Sequence, residues 1–97
     1  MNPFRPDIPP HVAGVILWLH PDLKRSIKSA VRAIAADPAC GEPLKRELDG
    51  FRKYRVRRSC IVYAVNEKAR VIRPMAVGNR RYVSEDLAGR LRRTGRE

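Results

Sequence analysis

The fold of this chain is decided by residues 54–65, which read YRVRRSCIVYAV. In the first half of this stretch, apolar residues alternate with Arg55 and Arg57, which is the two-residue period of a strand with one apolar and one cationic face. From residue 60 to residue 65 the sequence is apolar on both faces, a pattern typical of a strand in the middle of a sheet. The two strands are expected to be antiparallel neighbours.

The sequence after this stretch predicts one more strand and a helix. A turn at residues 66–69 leads to a third strand over Arg70–Val77, which completes an antiparallel meander and which Gly78 is expected to end. Because proline has no backbone N–H, Pro74 predicts that this strand lies at a sheet edge or contains a bulge. Ser84 is expected to cap a final helix.

The sequence before this stretch predicts a helical hairpin. Four prolines make residues 1–10 an extended arm, and apolar residues at helical spacing predict a helix from Val12 to about Leu19 and another that begins near Pro21 and is stopped by Asp37 and Pro38. Trp18 and Tyr63 are expected in the core. The histidines at positions 11 and 20 are expected to be surface or capping residues rather than catalytic bases.

Together these elements predict one α+β domain over residues 1–97. An N-terminal helical hairpin packs on a small antiparallel β-sheet, whose three-stranded meander allows a short extra N-terminal strand, and a C-terminal helix follows. The two cysteines have no paired metal-ligand spacing and the chain has no secretory signal, so we expect a cytoplasmic protein with reduced thiols and no bound metal. Its longest apolar stretch is far shorter than the ~20 residues of a membrane span.

The charge of the chain is strongly positive and unevenly placed. The formal net charge is +11, and residues 44–97 contribute ten of these charges, with 16 cationic and six acidic residues. Sixteen of the 21 cations in the chain are arginines, whose planar guanidinium binds phosphate in a bidentate way and stacks on bases. The composition therefore favours a polyanionic partner: a nucleic acid, an anionic membrane or an acidic protein.

Three segments, in this order, resemble the RelE/ParE toxins of toxin–antitoxin systems. They are PLKRELDGFRKYRV at 43–56, IVYAV at 61–65 and AVGNRR at 76–81, and the resemblance extends over about residues 10–90. Family members begin with a strand before the helical hairpin, where this chain has its proline-rich arm. The resemblance therefore implies that the first strand is shortened or lost, which leaves the third strand at an edge.

The resemblance implies a toxin that cleaves messenger RNA on the ribosome and so inhibits translation, without a cofactor. Cleavage through the 2′-hydroxyl of the RNA requires proton transfer and cations that stabilise the charged phosphate. By position in the family pattern, the catalytic candidates are Arg55, Arg57, Arg80 and Tyr82. The candidates for RNA binding are Lys53, Arg58, Asn79 and Arg81.

Two residues depart from the pattern of the RNA-cleaving members. Cys60 occupies a position where many of them have arginine, and Ser84 one where several have a catalytic tyrosine. These departures favour the alternative, a ParE-like inhibitor of DNA gyrase or a degenerate toxin that acts as a binding module. In either case the expected partner is an acidic antitoxin protein, together with the ribosome and messenger RNA, or gyrase in the alternative; no membrane is expected.

Overall fold

The computed structural model describes residues 4–79, 83, 85 and 87–89. In chain order the elements are strand β1 (Arg5–Pro6), helices α1 (Pro10–Leu17) and α2 (Pro21–Ala36), and strands β2 (Glu42–Pro43), β3 (Phe51–Val56), β4 (Ser59–Asn66) and β5 (Val71–Asn79). Short 3-10 helices lie at Pro38–Cys40 and Arg46–Leu48. The strands form one sheet in the order β1-β5-β4-β3-β2, so the predicted α+β class is confirmed and the sheet has two short strands beyond the meander.

The predicted meander is the centre of this sheet. β4 pairs antiparallel with β3 on one side and with β5 on the other, and half of its eight residues are buried because both of its faces are covered. β5 continues through Gly78 to Asn79, so the expectation that Gly78 ends the strand is wrong. The continuation brings Asn79 opposite Ser59, next to the β3–β4 hairpin.

Pro74 lies at a β-bulge and limits the pairing of β5. Val62 pairs with Ala76 but Tyr63 pairs with Pro74, which leaves Met75 as the extra residue. On the other side of β5, the Asp7 N–H donates to the Ile72 carbonyl at 2.8 Å. Successive backbone groups that point to the same side of a strand are two residues apart, so the next N–H needed for this ladder belongs to Pro74, which has none.

The first strand is shortened to Arg5–Pro6, as the resemblance implied, but it is not lost. It pairs in parallel with Val71–Ile72, so the expectation that β5 lies at an edge is wrong over these two residues. Beyond Ile72, no described strand lies on this side of β5. The edge predicted from Pro74 therefore begins two residues into the strand.

The helical hairpin is confirmed, with α1 displaced toward the N-terminus. α1 begins at Pro10, whose fixed φ suits the first helical turn, and ends at Leu17. α2 begins at Pro21, and His20 caps it by accepting a hydrogen bond from the Asp22 N–H at Nδ1. His11 is exposed and its Nε2 donates to the Met75 carbonyl at 3.2 Å, which ties α1 to β5.

The sheet has a core on each face. The helical hairpin packs on the face that carries Ile61, Tyr63 and Ile72. On the opposite face, Cys60 and Val62 pack against the C-terminal residues Val83, Leu87 and Ala88, which are helical. Among the described residues, no helix is long and apolar enough to cross a membrane.

Tyr63 is in the core, as predicted, but Trp18 is not. Tyr63 is fully buried, whereas Trp18, just after α1, is 86% exposed and Leu17 beside it is 66% exposed. The sequence pattern places apolar residues on one stripe of a helix. Trp18 falls outside the stripe because α1 ends at Leu17, before the predicted boundary.

Candidate nucleic-acid interface

The β3–β4 hairpin carries its positive charge on β3 and on the turn that follows it. Residues 51–66 contain five cations and no acidic residue. Among the described residues, the ion pairs lie elsewhere: Asp22 pairs with Arg25 and His20, and Asp7 pairs with Arg73. Within the described part of the chain, no carboxylate therefore forms an ion pair with the cations of this hairpin.

The sheet register brings Arg55 and Asn79 to the same end of the sheet. Arg55 pairs with Cys60 and Cys60 with Gly78, so these three residues form one row across three strands. Neighbouring strands are about 4.8 Å apart, so the Cα atoms of Arg55 and Gly78 are roughly 10 Å apart. Asn79 lies in the next row, opposite Ser59, and both Arg55 and Asn79 are exposed.

Arg57 is not on the strand face with Arg55, which corrects the prediction. β3 ends at Val56, and because Val56 pairs with Ser59, Arg57 and Arg58 are the two residues of a tight hairpin turn. Arg57 has a positive φ of 58°, a conformation that glycine or asparagine adopts at lower cost. The strand alternation assumed from the sequence therefore stops one residue before Arg57.

Both turn arginines are exposed and lie at the tip of the hairpin, beyond Arg55. Lys53 is on the same sheet face as Arg55, two residues earlier, and is half-buried. We call the set of Arg55, Arg57, Arg58 and Asn79 the hairpin end. It gathers four of the predicted site residues at one end of the sheet, with Lys53 behind them.

The other predicted site residues lie outside the described residues. These are Arg80, Arg81 and Tyr82, and the same holds for Ser84. Asn79 is the last described residue of β5, so Arg80 follows directly in sequence from the hairpin end.

Cys60, which stands where many RNA-cleaving members have arginine, has no access to solvent. Its exposed fraction is 0%, and it belongs to the cluster with Val62, Val83 and Leu87. This position is therefore a core position in this chain. Cys60 supplies no positive charge to the site. The charge of the hairpin end comes from Arg55 on β3 and from Arg57 and Arg58 in the turn.

A second arginine of β3 has a structural role that sequence analysis did not identify. Arg52 donates from Nη1 to the Gly41 carbonyl at 2.7 Å and to the Ala39 carbonyl at 3.3 Å. Nearby, the Tyr63 hydroxyl donates to the Pro38 carbonyl at 2.7 Å and accepts from the Gly41 N–H at 3.0 Å. These bonds hold residues 38–41 against the sheet, and β2 continues from them to pair with Lys53.

Burial of the Tyr63 ring raises the pKa of its hydroxyl to about 12, although the hydrogen bond from Gly41 acts in the opposite direction. A phenol with this pKa stays protonated at neutral pH. Tyr63 therefore contributes to the packing behind β3 rather than to proton transfer at the hairpin end.

The described residues offer neither a cluster of metal ligands nor a disulfide. Within the part of the chain that the structure describes, no group of three or more His, Cys, Asp or Glu side chains is placed to hold a metal ion. Both cysteines fall in that part, with Cys40 exposed and Cys60 buried, and neither is in a disulfide.

The fold is similar to that of solved toxin structures. The toxin–antitoxin complex RelBE2 of Mycobacterium tuberculosis gives a TM-score of 0.76 at 20% identity, over 82% of this chain and 94% of that chain. A mutant of the Escherichia coli toxin RelE in the free state gives 0.74 at 15% identity, over 90% and 92%. The archaeal RelE–RelB complex of Pyrococcus horikoshii gives 0.67 at 20% identity, over 82% and 97%.

These similarities are of structure rather than of sequence. No protein-family model matches the chain, and no curated protein matches it by sequence. Each structural match nevertheless extends over more than nine tenths of the other chain. The chain has the fold of the RelE toxins.

Proposed function

We propose that this protein is the toxin of a type II toxin–antitoxin system and that it cleaves messenger RNA on the ribosome. The observation that carries the proposal is the hairpin end: exposed arginines that form no ion pair with a described carboxylate, at one end of a sheet with the RelE fold. Cationic groups held on strands and a tight turn form a rigid surface for the phosphate backbone of RNA. The protein would act in the cytoplasm, where its substrate is.

In the proposed reaction, the 2′-oxygen of a ribose attacks the adjacent phosphorus and the bond from phosphorus to the 5′-oxygen breaks. The 2′-hydroxyl gives up its proton to a base, the leaving 5′-oxygen receives one, and the products are a 2′,3′-cyclic phosphate and a 5′-hydroxyl. We assign stabilisation of the charged phosphate to Arg55, Arg57 and Arg80, and proton transfer to Tyr82. Lys53, Arg58, Asn79 and Arg81 would bind the flanking RNA.

The partner that restrains the toxin is proposed to be an acidic antitoxin. Two of the similar structures are named as complexes of a toxin with its antitoxin. A chain with a net charge of +11 attracts an acidic partner and is repelled by copies of itself.

The buried position of Cys60 supports a second candidate, inhibition of DNA gyrase or binding without catalysis. If arginine at this position is needed for efficient cleavage, this chain lacks it, and the arginine of the same row, Arg55, lies on the neighbouring strand β3. The hairpin end would then bind an acidic protein surface or nucleic acid without cutting it.

The test is ribosome-dependent cleavage by the purified protein, compared with supercoiling by gyrase in a parallel assay. Arg55→Ala and Arg80→Ala are expected to reduce cleavage about 100-fold, the effect of removing one charge-stabilising donor from a phosphate or oxyanion site. Lys68→Ala is the matched control, because Lys68 is exposed in the β4–β5 turn at the opposite end of the sheet. Loss of supercoiling with intact RNA would replace the nuclease proposal with the gyrase one.

A further inference from the structure

A polar cleft lies on the sheet at the end opposite the hairpin end. Its volume is about 400 Å³, which is within the range of sites for small ligands. Its lining includes Arg5 and Asp7 from the N-terminal arm, Asn66 at the end of β4, Ala69 in the turn after it and Arg73 on β5. Residues far apart in the sequence therefore meet in one concave site.

The two arginines of the cleft are on the same face of the sheet. Arg5 pairs with Val71 across β1 and β5, and Arg73 is two residues farther along β5, so both side chains leave the sheet on one side. This is the face that carries Cys60, because Arg73 pairs with Ala64 and residues an even number of positions apart on β4 share a face. The helical hairpin packs on the other face and contributes no residue to the cleft.

The N-terminal arm that supplies Arg5 is fixed to the sheet. The Arg5 N–H donates to the Arg70 carbonyl at 2.9 Å. The Arg70 guanidinium lies over the Phe4 ring, 4.8 Å from its centroid, which is a cation–π contact. Arg5 therefore projects from a strand that is held in place, and among the described residues its guanidinium is in no ion pair.

Arg73 already has an anionic partner in the cleft. Its Nη2 donates to Oδ2 of Asp7 at 2.8 Å, and its Nε donates to the same oxygen at 3.3 Å. Both side chains are about half exposed, and an ion pair this accessible to water contributes little to stability. Asp7 is the one acidic residue that lines the cleft, so two arginines against one aspartate leave an excess of positive charge. Arg73 is therefore placed to bind an anion that competes with Asp7.

The remaining polar side chain of the cleft offers a further donor. Asn66 accepts a hydrogen bond from the Ala69 N–H at Oδ1, at 3.0 Å, so its amide NH2 is the group left for a ligand. Two guanidinium groups and an amide donor around one small volume suit a phosphate, whose oxygens accept several hydrogen bonds at once. A lone carboxylate carries the same charge as Asp7 and gains little by replacing it.

We propose that this cleft binds the phosphate group of a nucleotide between Arg5 and Arg73, and that Asp7 holds Arg73 until the phosphate replaces it. A phosphate monoester carries more charge than Asp7 and contacts both arginines, whereas Asp7 contacts only Arg73. Two sources offer this group: the terminal phosphate of a nucleotide and a phosphate within a nucleic-acid chain. The site goes beyond RNA cleavage and does not depend on it, because Arg73 lies about 13 Å along the sheet from the row of Arg55.

Nuclear magnetic resonance of the full-length, nitrogen-labelled protein measures this binding. During titration with inorganic phosphate at neutral pH and constant ionic strength, the Asn66 side-chain amide and the Ala69 N–H are expected to shift in a saturable way. Arg5→Gln and Arg73→Gln are each expected to weaken binding about tenfold, because each removes charge-assisted hydrogen bonds. Asp7→Asn is expected to bind phosphate about two- to fivefold more tightly, because it removes the competing carboxylate.

Two of the variants separate a specific site from general attraction and from loosening of the arm. Lys68→Gln removes a cation from the adjacent turn, but Lys68 does not line the cleft, so this variant is expected to bind phosphate as the wild type does. Arg5→Gln leaves the pair of Arg73 with Asp7 intact, so its weaker binding does not come from a released arm. Equal weakening by Lys68→Gln, wild-type affinity in both arginine variants, or weaker binding by Asp7→Asn would overturn the proposal.

The source of the phosphate is identified with two short oligonucleotides that differ only at the 5′ end, one with a phosphate and one with a hydroxyl. Both are made of deoxyribonucleotides, which have no 2′-oxygen for cleavage. Tighter, arginine-dependent binding of the phosphorylated one assigns the cleft to a terminal phosphate, and equal, arginine-dependent binding assigns it to the nucleic-acid backbone. Shifts with inorganic phosphate but with neither oligonucleotide would overturn the nucleotide assignment.

Titration with acetate distinguishes phosphate from the carboxylates of an acidic protein. Acetate is expected to bind the cleft much more weakly than phosphate, and equal affinity would overturn the proposal in favour of an acidic protein segment. None of these measurements uses RNA cleavage. A wild type that binds phosphate in the cleft but cleaves no RNA would therefore leave this proposal standing while the nuclease proposal fails, and the opposite pair of results would reverse that outcome.

Discussion

Arg55 and Cys60 are paired directly across β3 and β4 on the same face of the sheet, yet Arg55 is exposed and Cys60 is completely buried. The boundary between the cationic surface and the second core therefore runs between two neighbouring strands. On one side of it lie the hairpin arginines, and on the other lie Val83 and Leu87 of the C-terminal helical residues. This boundary limits where a further cation can be accommodated.

We predict that Cys60→Arg destabilises the protein instead of adding a functional cation. An unpaired charge at a fully buried position costs about 3–5 kcal/mol in the free energy of unfolding, because the guanidinium loses its hydration. Urea unfolding followed by circular dichroism measures this cost. Cys60→Val, which keeps a small apolar side chain, is expected to lose less than about 1.5 kcal/mol.

Equal stability of Cys60→Arg and wild type would contradict this prediction. It would indicate that the C-terminal residues move away from the sheet and admit the arginine to solvent.

We predict that the two turn arginines respond differently to replacement by glycine. Arg57 has a positive φ, so Arg57→Gly relieves a conformational cost of about 1 kcal/mol that offsets the added chain entropy, and stability is unchanged or slightly higher. Arg58 is not among the residues with positive φ, so Arg58→Gly is expected to lower stability by about 0.5–1 kcal/mol. Thermal unfolding measures both.

The same two variants are expected to behave alike toward RNA. Each removes one exposed cation, and the plot of log affinity for single-stranded RNA against log salt is expected to become shallower by about 0.7 in each. A variant that keeps the wild-type slope would show that its arginine does not contact phosphate.

The meander, the helical hairpin and the edge at Pro74 could be predicted from local sequence because each depends on periodicity or on the missing N–H of proline. Strand β1 could be expected only as a short addition, since two residues carry no periodic signal and their pairing depends on β5, more than sixty positions away. The predicted alternation of Arg55 and Arg57 extends one residue beyond the end of β3 at Val56. In the sequence, the two-residue spacing of a strand continues into the tight turn. In the structure, the turn directs the Arg57 side chain away from the face that carries Arg55.

The exposure of Trp18 could not be predicted from sequence pattern. The burial of Cys60 agrees with a strand that is apolar on both faces, but which residues of the C-terminal segment cover it could not be predicted. Trp18 is apolar and close to a helical stripe, but the end of α1 at Leu17 places it outside the core.

We predict that two glycine substitutions have opposite effects on stability. A Cβ atom added at Gly41 would lie 2.9 Å from Cε1 of Tyr63 and 3.0 Å from the Lys53 carbonyl oxygen. Since both neighbours are fixed in the sheet, Gly41→Ala is expected to lose about 1–3 kcal/mol. At Gly14, inside α1, a Cβ atom meets nothing within 4 Å, so Gly14→Ala is expected to gain about 0.5–1 kcal/mol.

Chemical unfolding of the two variants beside the wild type provides the comparison. If Gly41→Ala is as stable as Gly14→Ala, the Tyr63 hydroxyl does not lie against residue 41, and the hydrogen bonds described for residues 38–41 are not those of the folded protein.

We predict that Tyr63 makes the protein less stable in alkali. Burial raises the pKa of the folded-state hydroxyl to about 12 from the ordinary value of 10.0, so the folded protein keeps a proton that the unfolded chain releases. The stabilisation is complete below pH 10 and is lost as the pH rises from about 10 to 12, by up to about 2.7 kcal/mol for two pKa units. Tyr63→Phe, unfolded by urea at pH 9 and pH 11.5 under reducing conditions, is expected to show less of this decline than the wild type. Because the two proteins differ only in this hydroxyl, the difference between the two declines isolates Tyr63, and equal declines would mean that its hydroxyl is in contact with water.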